Sequence, residues 1–155
     1  MTKQSTASTS VAPDALETVS GYVKALIIGN SHQMHHFCSP DFVLDWVHGD
    51  AFEDKPLSIE ETKQFWPAWF AGFPEMDYNI TRTIAAETVV VTQWTFTGTH
   101  THLLGSPVFN PPLVASGRTV RFRGVSVYDI KNGLIIKETT YMDLATLMVE
   151  LGVTP

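Results

Sequence analysis

Hydrophobic positions follow two different periods along the chain, and the change falls near Pro74. Before Pro74 the apolar residues recur every three or four positions, which predicts helices over about 13–28, 31–38 and 58–71. The apolar run FVLDWV at 42–47 predicts a strand between the second and third helices. The first half of the chain is therefore expected to be mainly helical.

After Pro74 apolar and polar residues alternate, which is the pattern of half-buried strands. The segment 103–116 contains Gly105 and three prolines, so it cannot be a central strand and is expected to be a loop long enough to cover a pocket mouth. Helices followed by strands predict an α+β fold with helices on one face of a curved antiparallel sheet. The predicted elements of this half are strands at 76–86, 88–102, 118–130 and 134–142 and a helix at 144–151.

The composition is that of a globular protein, and the length is that of one domain. The chain has 155 residues, of which 44% are hydrophobic and 11% are aromatic, and a chain of this length can bury a core and a pocket. We expect residues 1–12 to be a disordered N-terminal tail and residues 13–155 to form a single domain.

Charge and cysteine content argue against several classes of partner. The net charge is −6 and there is no basic stripe, so nucleic acid is not an expected partner. Cys38 is the single cysteine, which precludes an internal disulfide and favours a reducing compartment. No apolar run approaches the roughly 18 residues of a membrane helix, and no targeting segment is recognisable. We therefore expect a cytoplasmic protein without a membrane partner.

The stretch 94–152 carries the candidate chemistry. It brings Tyr141 and Asp143 to the end of an apolar strand, where a carboxyl group shielded from water has a raised pKa and can act as a general acid or base. His100 and His102 lie two residues apart on a strand and face the same side, so one of them could hydrogen-bond a developing enolate oxygen. Two alternatives stay open: Asp143 precedes a helix and could be its N-cap, and the histidines could be ordinary strand residues at a sheet edge.

The connection at 131–133 decides which residues share a face with Asp143. A three-residue loop with its glycine in the left-handed region would form a G1 bulge and place Arg123 opposite Tyr141. A two-residue turn would instead set Asp143 against Phe122, because a one-residue slip exchanges the two faces. We favour the bulged turn, since one face then combines an apolar wall with a few polar groups, as ligand sites do. That face would carry Arg121, Arg123, Val125, Val127, Thr139, Tyr141 and Asp143.

Several short motifs occur in a fixed order in the last third of the chain. They are Gly98-Thr99-His100, Pro111-Pro112 with Ser116-Gly117-Arg118, Phe122-Arg123-Gly124, Gly133-Leu134-Ile135, and Asp143 ahead of Glu150-Leu151-Gly152. In this order they resemble the SnoaL-like polyketide cyclases, a branch of the NTF2-like (cystatin-like cone) superfamily. The rest of the chain matches that family by the order of its elements. The chain departs from the family pattern at 113–115, which interrupt a P-P-T-G turn, and at His102, which stands where the family has glycine.

The resemblance implies a cone-shaped NTF2-like fold, with N-terminal helices packed on the concave side of the curved antiparallel sheet. It implies a cofactor-free, aldol-type ring closure of a polyketide-like or similar hydrophobic carbonyl compound, with Asp143 as the general acid/base and His100 as a second catalytic candidate. It also implies a homodimer, and neither a cofactor nor a metal is expected. The candidate substrate-binding residues are Asp45, His48, Trp66, Trp94, His102, Arg123 and Tyr141.

Other interpretations of these residues and of the function stay open. Asp45 and His48 fit an exposed strand face as well as a pocket, and the arginines fit an outward charge pair. The cluster at His32, His35 and His36 is more typical of a solvated helix face than of a metal site. Two further function classes are a hydrolase or dehydratase, with a water held by Asp143 or Asp45 and a histidine, and a non-catalytic module that binds a hydrophobic ligand or a partner subunit.

Overall fold

The computed structural model describes residues 13–47 and 55–153, and their elements follow the predicted order of helices and strands. None of the helices within these two ranges is long and apolar enough to cross a membrane. In chain order the elements are α1 (Ala15–Ile27), α2 (Ser31–His35), β1 (Cys38–Val47), β2 (Leu57–Ser58), α3 (Ile59–Gly72), β3 (Met76–Ala85), β4 (Val89–Thr99), β5 (Thr119–Lys131), β6 (Leu134–Met142) and α4 (Leu144–Leu151).

The six strands form one curved, unclosed sheet with the helices on one side, which confirms the predicted α+β, NTF2-like architecture. The strand order is β2-β1-β6-β5-β4-β3. Neighbouring strands are antiparallel except for β1 and β6, which run parallel. The chain therefore returns from the far edge of the sheet to place its last strand beside its first long one, so β6 lies in the interior of the sheet.

The long helices begin at capping side chains and bury one face each. Asp14 accepts the backbone N–H of Glu17 at 2.8 Å at the start of α1, and Ser58 accepts that of Glu61 at 3.2 Å at the start of α3. Each of these bonds satisfies one of the free donors of a first helical turn. The buried residues of the two helices face the sheet; they are Ala15, Thr18, Val19, Tyr22, Val23, Ala25 and Leu26 on α1 and Thr62, Phe65, Trp69 and Gly72 on α3.

The β5–β6 hairpin turns through two residues, so the predicted three-residue loop is wrong. Lys131 pairs with Leu134, and the central residues Asn132 and Gly133 have φ of 53° and 75°. Positive φ at both central residues is the requirement of a type I′ turn, whose twist matches that of the flanking strands. An Asn-Gly pair meets this requirement with little strain, because both residues tolerate the left-handed region.

A β-bulge in β6 then restores the facing that the predicted loop would have produced. Ile135 pairs with Ile130, whereas Lys137 pairs with Asp129, so Ile136 is an extra residue without a partner on β5. An extra residue exchanges the faces of the strand beyond it. Because of this bulge, residues 139, 141 and 143 share a face with the arginines of β5, as predicted. The predicted register is wrong, since Tyr141 pairs with Val125 and not with Arg123. That face is the outer side of the sheet, where Arg121, Arg123, Tyr141 and Asp143 are exposed.

The segment between β4 and β5 does not cover the mouth of a pocket, so that expectation is corrected. Leu104 is fully buried, and its backbone pairs with Leu113 in both directions, at 3.0 and 2.9 Å. The Leu104 side chain packs against Gly72, where an added Cβ would meet it at 2.5 Å. The apolar residues of this segment therefore anchor it to the C-terminal end of α3.

Candidate active site

A mostly apolar cavity of about 60 Å³ lies between the helices and the inner face of the sheet. Aromatic side chains fill most of the cone, and all four tryptophans of the chain line the space that is left. The lining residues are Leu26, Leu44, Trp46, Phe65, Trp66, Trp69, Met76, Tyr78, Trp94, Phe96, Phe122, Ser126, Glu138, Thr140 and Met142. The cavity is smaller than the roughly 150 Å³ that holds a benzene ring, and it is large enough for a few water molecules.

The only charged residue in this lining, among the described residues, is Glu138 on β6. Its side chain is buried, and the bulge at Ile136 is what turns it inward. Oε2 of Glu138 accepts a hydrogen bond from the Tyr22 hydroxyl at 2.9 Å, so α1 contributes directly to the site. Burial of the carboxyl group raises its pKa to about 7, because the charged form loses its hydration.

Hydrogen-bond donors around Glu138 oppose this effect of burial. The side chains of Tyr22, Tyr128 and Thr140 each favour the carboxylate and lower its pKa. The Tyr128 hydroxyl lies close enough to the Glu138 carboxyl group to affect its pKa, although it forms no hydrogen bond of ordinary geometry with a described residue. Burial and the neighbouring carboxyl raise the pKa values of Tyr22, Tyr78 and Tyr128 well above the ordinary tyrosine value. These phenols therefore stay neutral, and Glu138 is the group at this site that changes charge near neutral pH.

Two hydroxyl groups stand beside the carboxyl group on the cavity wall. Trp94 Nε1 donates to Ser126 Oγ at 3.0 Å, and Ser126 Oγ lies 3.1 Å from Thr140 Oγ1. The register explains the grouping, because Ser126 and Thr140 are direct cross-strand partners on the inner face. The polar part of the cavity is thus one cluster, and the remaining wall is aromatic or aliphatic.

Lys, Arg and His side chains are missing from this cavity lining in the ranges that the structure describes. A negatively charged ligand would therefore meet a carboxylate and no compensating charge, which disfavours anions. The same ranges contain no group of three or more His, Cys, Asp or Glu side chains placed to hold a metal ion. The chemistry that these residues can perform is proton transfer by one buried carboxyl group to a neutral molecule.

Two of the predicted substrate-binding residues line the cavity. Trp66 of α3 is half-buried there and stacks on Phe70, with ring centroids 5.8 Å apart. Trp94 of β4 is buried and stacks on Tyr78, with ring centroids 5.2 Å apart. The structure brings these two together with Glu138, and their contact with a substrate stays a prediction.

Asp143 lies outside the cavity, so its expected position in a shielded pocket is corrected. It is the exposed N-cap of α4, where its carboxylate accepts the Thr146 backbone N–H at 3.1 Å and the Thr146 hydroxyl at 2.7 Å. These two bonds lower the pKa of Asp143, opposite to the direction that an acid/base near neutral pH needs. The reason is its position beyond the end of β6, on the outer face of the sheet.

Three more candidates lie on the outer face and do not meet the cavity. Arg123 and Tyr141 are exposed there. Asp45 of β1 points the same way, and its carboxylate lies 3.7 Å from Lys137 Nζ as a partly exposed ion pair. The alternating directions of strand residues explain all three, because each has odd parity where the cavity residues of its strand have even parity. His48 lies outside the described residues.

The two histidine candidates belong to the segment after β4 rather than to the cavity. His100 is buried behind Phe73, with ring centroids 5.7 Å apart, and its Nδ1 accepts the Ser116 backbone N–H at 3.2 Å. Burial lowers the pKa of His100, so the ring is neutral and holds the segment in place. His102 is exposed and contacts the neighbouring Thr101 hydroxyl at 2.9 Å. The hydrolase or dehydratase alternative needs an aspartate and a histidine that hold a water together in the cavity. Neither Asp143 nor Asp45 lies beside a histidine there.

Four residues of the site are not among those predicted from the sequence: Glu138, Thr140, Ser126 and Tyr22. One signal could have found them, because the even positions of β5 include Val120, Phe122, Tyr128 and Ile130, whereas the odd ones include two arginines and an aspartate. The more apolar set marks the buried face. The bulge at Ile136 turns Glu138 toward that face, and the residue types around Ile136 give no sequence signal for it.

Gly124 gives a direct test of how Trp94 is held in the cavity wall. A Cβ at this position would lie 2.6 Å from the Tyr141 carbonyl oxygen and closer still to the Trp94 ring. The Tyr141 backbone oxygen is fixed in the sheet, so the added methyl group of Gly124→Ala can be accommodated only if the Trp94 ring moves. The variant should therefore displace Trp94 and lower the free energy of unfolding by about 1–3 kcal/mol. Urea denaturation measures this effect, and Gly105→Ala, with nothing within 4 Å of its added Cβ, is the control. Equal stabilities for the two variants would contradict the packing of Trp94 on Gly124.

Solved structures of the same fold come from several bacteria. AclR, a proposed hydroxylase from Streptomyces galilaeus, is 20% identical with a TM-score of 0.72 over 89% of this chain and 84% of that one. A proposed SnoaL-like polyketide cyclase from Jannaschia is 18% identical with a TM-score of 0.73 over 95% and 99%. IdmH, a proposed polyketide cyclase from Streptomyces antibioticus, is 24% identical with a TM-score of 0.68 over 89% and 98%. At these identities the likeness shows the shared fold.

The sequence also matches a family description over most of its length. No curated protein sequence matches the chain. The family model of the SnoaL-like polyketide cyclases matches residues 17–151, from the first turn of α1 to the end of α4. The matched range includes every element of the fold, apart from the first two residues of α1, and every residue of the cavity lining. The chain therefore belongs to the SnoaL-like polyketide cyclase family.

Proposed function

We propose that the chain is a cofactor-free small-molecule cyclase or isomerase that acts on a neutral carbonyl compound, with Glu138 as its general acid/base. Membership of the family supports a small-molecule cyclase or a related enzyme. The observation that carries the choice of Glu138 is a buried carboxyl group, with its pKa raised to about 7, in the wall of an apolar cavity. A group that is half ionised near neutral pH can both take and return a proton.

The proposed reaction needs no group beyond the substrate and this carboxyl. The Glu138 carboxylate takes a proton from the carbon next to a carbonyl, which leaves an enolate and a neutral carboxylic acid. In a ring closure the enolate carbon forms a bond to a second carbonyl carbon of the same molecule. The resulting alkoxide takes the proton back from Glu138, and the carboxylate is restored. In an isomerisation the proton returns to a different atom of the enolate.

The cavity supports a small substrate. Its volume of about 60 Å³ accommodates a compound of a few heavy atoms. The half-buried lining residues Trp46, Trp66 and Met142 would have to move outward before a ring system could reach Glu138. Met142 has a flexible side chain, and its sulfur faces the Trp46 indole N–H, so these two side chains would move together.

Deuterium exchange into simple ketones tests the proposal without knowledge of the natural substrate. The wild-type protein is incubated with acetone in D₂O, and loss of the methyl signal is followed by NMR across pH 5–9. After subtraction of the buffer rate, the exchange rate should rise through a midpoint near 7, because the carboxylate is the reactive form. Butanone and acetophenone extend the series and show whether larger ketones enter. A rate equal to the buffer rate, or one that is flat with pH, would reject the proposal.

A non-catalytic role in binding a small hydrophobic ligand is the second candidate. The small volume and the dense aromatic filling of the cone favour it, since a binding site needs no room for reaction or product release. Because all four tryptophans line the cavity, a ligand that changes their fluorescence while its protons do not exchange would favour this candidate. The homodimer expected from the family resemblance stays a prediction, and the oligomeric state in solution would test it.

A further inference from the structure

We infer that Trp69 is a specificity-determining residue, which fills the space that a ring-sized substrate would need and limits the site to small acyclic carbonyl compounds. This inference deepens the proposed function and rests on it, because it concerns the room available to a substrate of Glu138. Trp69 and Glu138 line the same cavity. The space that the Trp69 ring occupies is therefore continuous with the space beside the carboxyl group.

The Trp69 side chain packs against aromatic rings on several sides. Its neighbours belong to β1, β4, β5 and the C-terminal end of α3. The distances between ring centroids are 4.9 Å to Phe73, 5.2 Å to Phe96, 6.1 Å to Phe122 and 6.4 Å to Trp46. One side chain of the helix thus fills the gap between α3 and the inner face of the sheet.

Trp69 differs from the aromatic residues of the sheet in where its backbone lies. Phe96 and Phe122 are direct cross-strand partners, so they form the wall of the cavity itself. Trp69 reaches toward this wall from the helix that covers it, and only 6% of its surface is exposed. Truncation of Trp69 therefore leaves the wall in place and opens a space above it.

The turn of α3 that carries Trp69 is anchored, so the ring cannot move aside. Gly72, three residues further, packs so closely on Leu104 that an added Cβ would lie 2.5 Å from the Leu104 side chain. The Trp69 carbonyl oxygen accepts the Phe73 backbone N–H at 3.1 Å, which holds the end of the helix. A close-packed ring on an anchored helix loses its contacts if it rotates or withdraws. The half-buried side chains at the surface thus control entry, and Trp69 controls the room inside.

Trp69 and Glu138 line different parts of the cavity. Glu138 pairs with Tyr128 on β5, whereas Trp69 packs on Phe122, six residues earlier on the same strand. Trp69 would therefore face the part of a substrate that is remote from the reacting carbon. A change at Trp69 should alter which substrates fit without removing the group that exchanges protons.

Exchange of ketone protons in D₂O tests the size limit. Trp69→Ala removes the whole bicyclic ring, and the space left by such a truncation collapses only in part. The ratio of the acetophenone rate to the acetone rate should therefore be higher than in the wild type by about tenfold or more. Trp69→Leu keeps part of the apolar contact and should raise the ratio by a smaller factor. If Trp69→Ala does not fold, Trp69→Leu replaces it in every measurement.

Phe42→Ala is the control for the loss of a buried aromatic ring. Phe42 is 1% exposed and is not one of the described residues that line the cavity. Its truncation should lower stability, as that of Trp69 does, and leave the ratio of the two ketone rates at the wild-type value.

Benzene binding measures the vacated space without any turnover. A dry apolar cavity of roughly 150 Å³ holds benzene, so benzene should raise the Tm of Trp69→Ala and leave that of the wild type unchanged. An equal response of the two proteins to benzene, or an unchanged ratio in a variant that exchanges acetone, would overturn the inference. Benzene binding to Trp69→Ala, with no ketone exchange in any of the proteins, would support the size limit and reject the proposed function.

Discussion

Replacing Glu138 by Gln should lower the rate of deuterium exchange into acetone by about 10²–10⁴, the usual contribution of a positioned general base. The amide keeps the size of the side chain and can still accept the Tyr22 hydroxyl, but it cannot take a proton from carbon. The loss should appear in the pH range where the carboxylate predominates in the wild type, above the midpoint near 7. NMR of the ketone in D₂O measures both rates under identical conditions.

Asp143→Asn tests whether Glu138 or Asp143, the residue that the family resemblance implies, is the acid/base. Asn caps helices as well as Asp does, so the fold should be retained. Because Asp143 is exposed and hydrogen-bonded to Thr146, the variant should exchange deuterium into acetone at the wild-type rate. If Asp143→Asn loses the exchange activity and Glu138→Gln keeps it, Asp143 and not Glu138 is the acid/base.

The same Glu138→Gln variant should change how stability depends on pH. Folding raises the pKa of this carboxyl from 4.5 to about 7. As pH rises, the folded protein therefore keeps a proton that the unfolded chain releases at a lower pH. The resulting stability is fully present below pH 4.5 and is lost as pH rises through 7. The free energy of unfolding falls by about 3 kcal/mol over this range in the wild type. Glu138→Gln has no ionisable group at this position and should not show this fall. The stability of the variant relative to the wild type should therefore improve by that amount between pH 4.5 and 8.

Thermal unfolding at a series of pH values measures this difference. For a chain of this length, about 3 kcal/mol corresponds to a change of roughly 6–12 °C in the Tm difference between the two proteins. Glu87→Gln is a suitable control, since Glu87 is exposed in the β3–β4 connection and its variant should follow the wild type at every pH. Parallel curves for wild type and Glu138→Gln would show that the carboxyl group is not buried, and would remove the basis of the acid/base role.

The elements of the fold could be predicted because they depend on local patterns. The periods of apolar residues predicted the five long strands within a few residues of those observed, although not the two-residue strand β2, and the last helix was predicted at its observed range of 144–151. The motifs between Gly98 and Gly152 identified the family that the match over residues 17–151 confirms. The candidate site was predicted less well, because a site depends on which face of each strand is covered.

Asp143 and Glu138 illustrate the difference. Both are acidic residues near the end of the same hairpin, and the alternation of β6 places them on opposite faces. The sequence pattern predicts the face with Val125 and Val127 as the pocket wall, whereas α1 and α3 cover the face with Phe122 and Tyr128. The parallel pairing of β6 with β1, which sets Leu44 beside Glu138, was also not predicted, because it joins segments about ninety residues apart.

The sequence by itself determined the helices, the long strands and the family, since these follow from local periodicity and ordered motifs. It favoured a three-residue loop between β5 and β6 over the two-residue Asn-Gly turn that the structure has. Only the tertiary structure decided that Glu138, and not Asp143, is removed from water. The physical reason is that an extra residue at Ile136 and the packing of two helices choose the buried face of β6. Burial then raises the pKa of whichever carboxyl group lies on that face.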